Sequence, residues 1–249
     1  MNGFAKLTLV ETRLFLREKI ALLGVFAVPI GLVVGFGLIP GFSKPQKTLR
    51  DQIGTEYIAA LGIAVVLISI GLQGIPMIIA QYRERGILRR FGVTPVRPLT
   101  LLFAKLAVWV AAALLSAVMI MAVARLAFHV PTPAKPAWFA LSLLLGIAAL
   151  FSLGMLVSAV APTARSAMAI AMGLFFPNMF LAGIYFPANQ MSPTLQRIGD
   201  FTPLGAAFRA LRDSWMGLDP RLEYLGIMAA YALVTGALAA RFFKWDKAA

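Results

Sequence analysis

Long uncharged stretches alternate with short charged ones along the 249-residue chain. A helix that crosses a bilayer needs about 20 mostly apolar residues. The stretches without Asp, Glu, Lys or Arg that come close to this length or exceed it are residues 20–43, 57–82, 106–124, 136–164, 166–196 and 224–240. We therefore predict an all-α polytopic membrane protein, one domain over residues 1–249, whose transmembrane helices cover residues 20–40, 57–81, 99–126, 137–160, 167–185 and 222–241.

Composition supports a membrane location. Hydrophobic residues make up 60% of the chain and charged residues 13%, whereas an ordinary soluble domain carries about 25% charged residues. A soluble core of this size could not bury so much apolar surface, so the remainder must face lipid. The net charge of +13 does not indicate a nucleic-acid partner, because the basic residues stand between apolar runs rather than in one patch with interleaved aromatic residues.

Lys and Arg residues are more numerous on the side of the membrane that holds both termini. The positive-inside rule then predicts cytoplasmic termini and a multi-pass protein of the inner (plasma) membrane. A short hinge with a helix breaker, residues 161–165, separates the fourth and fifth helices. Lys105, near the start of the third helix, is expected to extend its ammonium group to the lipid headgroups.

Residues 3–19 are predicted to form an amphipathic helix in the membrane interface. Lys6, Arg13 and Arg17 fall on one stripe of a helical wheel, where they can face anionic lipid. Glu11 and Glu18 fall on the apolar side. Two interpretations stay open for these carboxylates: they reach water at the edge of the helix, or they pair with a basic loop of the same chain.

A charge-dense loop, residues 82–98, follows the second helix. Its pattern predicts a short helix from Glu84 to Phe91, followed by turn residues at Gly92 and Pro95. Leu88 and Phe91 could face a partner while Arg85, Arg89 and Arg90 stay solvated. The residues alone indicate only a basic cytoplasmic loop.

A second irregular segment, residues 186–217, follows the fifth helix, which is expected to end near Tyr185. Prolines break this segment repeatedly. Thr202 is a plausible N-cap with Pro203 at the first helical position, and apolar residues then recur at helical spacing up to Trp215. We predict an outer re-entrant or amphipathic helix that lies on, or dips into, the outer leaflet.

Catalytic chemistry has few candidate residues. The single histidine, His129, lies in a short turn, no carboxylate lies inside an apolar run, and the chain has no cysteine. These features argue against a metal site, a resident cofactor, proton coupling and catalytic residues. No G-x-x-x-x-G-K-[ST] loop occurs, so any ATP and Mg²⁺ would be bound by a partner subunit.

Uncharged polar groups do lie within the apolar helices. Gln73 on the second helix and Asn178 on the fifth either form hydrogen bonds between helices or line a substrate path. Met77 and Phe180, close to them in sequence, offer adaptable apolar surface. Both interpretations stay open from the residues alone.

Two sequence motifs resemble a known family. Residues 83–96 read RERGILRRFGVTPV and are followed by Lys105. Residues 183–187, GIYFP, continue to FTPL at 201–204. With these motifs in this order, nearly the whole chain resembles the membrane subunits of ABC-2-type exporters, and it looks closest to the daunorubicin-resistance-like permeases. Ile87 stands where that family commonly has threonine.

The resemblance implies a working exporter of two permease subunits, identical or different, and two ABC ATPase subunits. Residues 3–19 would be the connecting helix and the 82–98 loop would carry the coupling helix. The implied contacts with the ATPase are made by Glu84, Arg85, Gly86, Leu88, Phe91, Pro95, Pro162 and Arg165. The implied path for a hydrophobic or amphipathic substrate (a drug, lipid or glycolipid) is lined by Gln73, Met77, Asn178 and Phe180.

Two other functions compete with export. One is a non-transporting assembly or sensory membrane protein, and the other is a lipid-modifying membrane enzyme. The enzyme hypothesis is disfavoured because the sequence offers no candidate acid–base or metal-binding residues. The coupling loop favours a transporter over both alternatives, because only a transporter with an ABC partner needs such a loop.

Overall fold

The computed structural model describes residues 3–39, 45–46, 52–86, 98–185 and 191–243. An N-terminal helix, Gly3–Phe15, precedes the bundle. Within the described residues, six helices are long and apolar enough to cross a membrane: Lys19–Gly37, Tyr57–Glu84, Thr100–Phe128, Pro136–Val160, Ala164–Leu181 and Leu222–Phe242. We call them the first to sixth spanning helices. The predicted all-α polytopic fold is confirmed.

Smaller elements connect these helices at one end of the bundle. Strands β1 (Pro45–Gln46) and β2 (Gln52–Ile53) form a short antiparallel pair in which Pro45 lies opposite Ile53. Two further helices cover Pro193–Asp200 and Pro203–Trp215. We call this end the far end, and the end at which the N-terminal helix packs the terminal end.

Prolines shape the first and second spanning helices. The first contains a π-helical segment, Leu23–Ala27, and the second contains another, Ser69–Gly74. Pro29 and Pro76 follow these segments directly within the next turn. A proline lacks the N–H for the helical bond and its ring clashes with the carbonyl four residues earlier. The wider π turn relieves that clash, which explains why both segments sit where they do.

The second spanning helix is the centre of the bundle. In the most apolar stretch of this helix 83% of the residues are buried, whereas the figure for the corresponding stretches of the first and sixth helices is 22%. A Cβ on Gly71 would lie 2.7 Å from the carbonyl oxygen of Leu150. A Cβ on Gly154 would overlap the carbonyl of Gly71. These two glycines therefore allow the second and fourth helices to touch through their backbones.

The fifth spanning helix ends earlier than predicted. Its last residue is Leu181 rather than Tyr185, and Gly183 then takes a φ of 86°. A glycine in the left-handed region ends a helix at little cost. The carbonyl of Gly183 accepts a hydrogen bond from the hydroxyl of Tyr57 at 3.2 Å, which ties this turn to the start of the second helix.

The helix Pro203–Trp215 enters the bundle instead of lying on its surface. All of its residues except Arg212 are buried, and it packs against the second, fourth, fifth and sixth spanning helices. As predicted, Thr202 is its N-cap and accepts a hydrogen bond from the backbone N–H of Gly205 at 3.1 Å. The small residues Gly205, Ala206, Ala207 and Ala210 let it approach its neighbours closely. We call it the inserted helix.

Candidate functional site

The last turn of the second spanning helix bridges the turn between the fourth and fifth helices. Arg83 donates hydrogen bonds to the carbonyl of Ala161 at 2.8 Å and to that of Ser158 at 3.0 Å. A carboxylate oxygen of Glu84 accepts from the backbone N–H of Ala164 at 2.8 Å. The cation thus meets the negative end of one helix and the anion meets the positive end of the next. We call Arg83, Glu84 and these three partners the helix bridge.

The start of the fifth helix is capped a second time by its own residues. The side chain of Thr163 accepts from the N–H of Ser166 at 3.1 Å, and the hydroxyl of Ser166 accepts from the N–H of Thr163 at 2.9 Å. This reciprocal capping box satisfies N–H groups that would otherwise lack partners. Glu84 therefore adds a link to another helix at an end that is already capped.

The predicted ATPase contacts lie partly on this surface. The predicted contacts that are exposed are Glu84, Arg85, Pro162 and Arg165. The bond from Ala164 to Glu84 brings the first two, at the end of the second helix, close to the last two, in the turn between the fourth and fifth helices. Their separation in sequence is about 80 residues, so only the packing of the helices could reveal this common surface. Arg83 was not among the predicted site residues, although it makes two of the three bonds in the helix bridge.

The predicted helix from Glu84 to Phe91 is wrong at its start. Glu84 is the last residue of the second spanning helix, Arg85 is its C-cap and Gly86 takes a φ of 67°. A left-handed glycine ends the helix there, so Glu84 and Arg85 belong to the spanning helix rather than to a separate coupling helix. The predicted contacts Leu88, Phe91 and Pro95 lie outside the described residues.

A buried ion pair joins the N-terminal helix to the bundle. The ammonium group of Lys105 lies 3.0 Å from Glu11, and both side chains are 4% exposed. The hydroxyl of Tyr82 donates to the two oxygens of Glu11 at 3.3 and 3.2 Å. Lys105 therefore does not extend to the headgroups, and Glu11 neither reaches water nor pairs with a loop. A carboxylate held inside the bundle keeps the ammonium group there, because an unpaired buried charge is costly.

Gln73 and Met77 line a cleft of about 810 Å³. Its walls come from residues 17–21 and the π-helical segments of the first and second helices, and Trp109 of the third helix completes it. Because both π-helical segments widen their helices at this level, the same prolines that distort the helices also shape the cleft.

The other two predicted path residues lie elsewhere. Asn178 is buried, and its side-chain N–H donates to the carbonyl of Leu174 in its own helix at 2.9 Å. Phe180 is 36% exposed. Neither residue lines the cleft that contains Gln73 and Met77. Within the part of the chain that the structure describes, no group of three His, Asp or Glu side chains is arranged to hold a metal ion.

Comparison with known families decides the identity of this bundle. The model of the ABC-2 type transporter family matches residues 4–216. The chain belongs to the ABC-2 type transporter family. No curated protein matches it. The match begins in the N-terminal helix and ends just after the inserted helix, so it covers the helix bridge, the Glu11–Lys105 pair and the cleft.

Membership of the ABC-2 type transporter family indicates the general role of this chain. It is a permease subunit of an ABC transporter, a multi-pass membrane protein that works with an ABC ATPase. ABC-2 membrane domains carry no ATPase of their own, which agrees with a sequence that has no phosphate-binding loop. Energy must therefore reach this subunit through a surface that the ATPase can contact.

Proposed function

We propose that this permease exports a hydrophobic or amphipathic substrate from the cytoplasm, with a drug, lipid or glycolipid as the substrate class. Two copies of a separate ATPase subunit bind ATP and Mg²⁺, and two permease subunits form the path. The terminal end faces the cytoplasm of a cell whose inner (plasma) membrane holds the complex. The daunorubicin-resistance-like exporters are the proposed subfamily, on the strength of the 83–96 and 183–187 motifs.

The helix bridge is the observation that carries this proposal. It joins the ends of three spanning helices through bonds of 2.8 to 3.0 Å, and the exposed residues Arg85 and Arg165 directly follow Glu84 and Ala164 in the sequence. A force applied by the ATPase at this surface would reach the second, fourth and fifth helices together. The second helix is also the most buried spanning helix, so its displacement would repack the whole bundle.

Charge supports the terminal end as the cytoplasmic side. The N-terminal helix and the 82–98 loop contribute many of the Lys and Arg residues of the chain, and cytoplasmic segments carry an excess of such residues. ATP is made and kept in the cytoplasm, so the ATPase must dock on that side. Export is then the direction in which cargo moves from the terminal end to the far end.

Reversing one exposed charge tests the docking surface. The permease is co-expressed with an ATPase encoded beside it, purified through a tag on the permease, and assayed for the bound ATPase. We expect Arg165→Glu to reduce ATPase retention about tenfold, because a like-charge contact at an interface costs on the order of 1–2 kcal/mol. Uptake of a lipophilic fluorescent dye into inverted vesicles, with ATP added outside, then reports the direction of transport.

The matched control is Arg125→Glu, an exposed arginine at the far end. It changes the net charge equally and should leave ATPase retention and dye uptake unchanged. Equal losses in the two variants would remove the docking surface from the helix bridge. Failure of any ATPase to accompany the unmodified permease would contradict the export proposal itself.

A further inference from the structure

Three cations surround the mouth of the cleft. Arg17, Lys19 and Arg85 line it and are exposed, and the half-buried Glu18 lies among them. None of these four side chains forms an ion pair with another described residue. The described charges at the mouth therefore leave a net excess of two positive charges that no part of the described structure neutralises.

The interior of the same cleft is mainly apolar. Val25, Ile70 and Met77 contribute to its wall, at the level of the apolar spanning segments. A volume of about 810 Å³ falls within the range of 300–1,000 Å³ that is typical of small-molecule sites. A ligand that fits both regions must carry negative charge at one end and apolar surface at the other.

One buried polar group that lines the cleft has no hydrogen-bond partner among the described residues. Trp109 lines it and is only 3% exposed, and its indole N–H has no hydrogen-bond partner among the described residues. Buried indole N–H groups usually find an acceptor. The side-chain amide of Gln73, half-buried in the same wall, adds a second polar group. These groups suit the ester or carbonyl oxygens that commonly join an anionic head to an apolar tail.

We infer that this cleft binds an anionic amphiphile, with its headgroup at Arg17, Lys19 and Arg85 and its tail along the apolar wall. The inference that the ligand is cargo rests on the proposed export function. The inference that it binds does not, because it depends only on the charges and the shape of the cleft. Glu18 opposes the headgroup and limits affinity for strongly charged heads.

Fluorescence quenching by brominated lipid tests the binding without the ATPase. The permease is placed in nanodiscs that contain increasing fractions of phosphatidylglycerol with dibrominated acyl chains, or of phosphatidylcholine with the same chains. The fluorescence of the Trp109→Phe variant is subtracted from that of the unmodified permease, and the difference gives the emission of Trp109 and its quenching. We expect half-maximal quenching at about a tenfold lower fraction of phosphatidylglycerol than of phosphatidylcholine, because each basic residue near a membrane surface contributes about fivefold and Glu18 offsets part of it.

Charge variants sharpen this test. The triple variant Arg17→Gln, Lys19→Gln, Arg85→Gln should abolish the preference, and Glu18→Gln should increase it. The matched control is Lys6→Gln, Arg13→Gln, Arg165→Gln, which removes three exposed cations from the same end of the molecule but outside the cleft. Equal quenching by the two lipids, or equal effects of the two triple variants, would overturn the inference.

A resident lipid and a transported substrate would present the same chemistry, and a transport assay separates them. The permease and its ATPase are reconstituted in liposomes that contain phosphatidylglycerol with a fluorescent tail, and its movement between leaflets is measured with and without ATP. ATP-dependent movement that is lost in the double variant Arg17→Gln, Lys19→Gln, which leaves Arg85 of the docking surface unchanged, identifies cargo. Binding without movement identifies a resident lipid, and loss of ATPase coupling with binding intact would count against the export proposal alone.

Discussion

Two ion pairs, one at each end of the bundle, connect different kinds of structure. At the terminal end, Glu11 and Lys105 lie 3.0 Å apart and join helices that are 94 residues apart in sequence. At the far end, Asp200 and Arg209 lie 2.7 Å apart and join two helices that follow each other directly. The first pair holds a separate helix on the bundle, whereas the second closes a local hairpin.

The surroundings of the two ion pairs also differ. The far-end pair includes Arg209 of the inserted helix, which is packed against four spanning helices, and Asp200 is 30% exposed in its side chain. The terminal-end pair is bonded to Tyr82, which directly precedes Arg83 of the helix bridge in the sequence. The comparison indicates a far end that is fixed by packing and a terminal end where polar contacts between separate elements add to apolar packing, such as that of Phe15 against Trp109. Under the proposed function, these polar contacts are the ones that we expect to be exchanged when the ATPase acts on this end.

Removing the cation of the terminal-end pair should have the largest effect on stability. Lys105→Met leaves Glu11 buried with only the hydroxyl of Tyr82 as a partner. We expect the free energy of unfolding to fall by about 3–5 kcal/mol, the usual cost of leaving one buried charge unpaired. Thermal unfolding of the purified permease in detergent measures this loss.

The double variant Glu11→Leu, Lys105→Met is the control for this prediction. It removes both charges and should recover much of the lost stability, since apolar residues often replace a buried pair at little cost. Lys6→Met removes an exposed lysine of the same N-terminal helix. Equal stability of Lys105→Met and Lys6→Met would show that the pair does not hold the helix on the bundle.

Breaking the far-end pair should have a smaller and more local effect. Arg209→Met leaves Asp200 without its cation, but the partly exposed carboxylate can still reach water and lies 3.5 Å from the hydroxyl of Tyr224. We expect a loss of about 2 kcal/mol, below the range for a fully buried pair. Hydrogen exchange should increase within residues 193–215 and remain unchanged in the N-terminal helix.

Combining this change with Lys105→Met tests the comparison directly. Variants at well-separated sites usually have additive effects on the free energy of unfolding. We expect additivity here because the two pairs lie at opposite ends and share no partner. A strongly non-additive double variant would mean that the two ends are coupled through the spanning helices, and the division into a fixed end and an exchangeable end would have to be abandoned.

Local sequence signals were sufficient for much of the fold. The six uncharged runs predict the spanning helices because a bilayer excludes charges over a fixed length. Thr202 and Pro203 predict the start of the inserted helix because a cap depends on neighbours within three residues. The depth of that helix could not be predicted in the same way, since Arg209 and Asp213 favour a surface position until Asp200 and the packing are known.

The candidate site was less predictable because its contacts are long-range. Glu84 was predicted to matter for contact with a partner, but its bond to Ala164 depends on how the helices pack. A usable signal did exist. Arg83 and Glu84 end one helix with opposite charges, and the 161–165 hinge must leave carbonyls and N–H groups unsatisfied at two helix ends. Matching those charges to those helix ends would have predicted the helix bridge.

Breaking the helix bridge should have the smallest effect on the free energy of unfolding and the clearest effect on function. Glu84→Leu removes the acceptor for the N–H of Ala164, but Thr163 and Ser166 still cap the fifth helix. We therefore expect a loss of no more than about 1 kcal/mol in the free energy of unfolding. Substrate-stimulated ATPase activity of the reconstituted complex should fall several-fold, because the second helix then loses its hydrogen bond to the start of the fifth helix.

Thr163→Val is the matched control for this prediction, since it removes the other cap of the same helix end without touching the second helix. It should cost a similar free energy of unfolding and leave the stimulated ATPase activity almost unchanged. Glu84→Gln, which keeps an oxygen that can accept from Ala164, should retain most of the activity. If Thr163→Val and Glu84→Leu reduced the activity equally, the effect would come from fraying of the fifth helix. The exchangeable contacts of the terminal end would then be reduced to the Glu11–Lys105 pair, and the ATPase would have to act through the N-terminal helix instead.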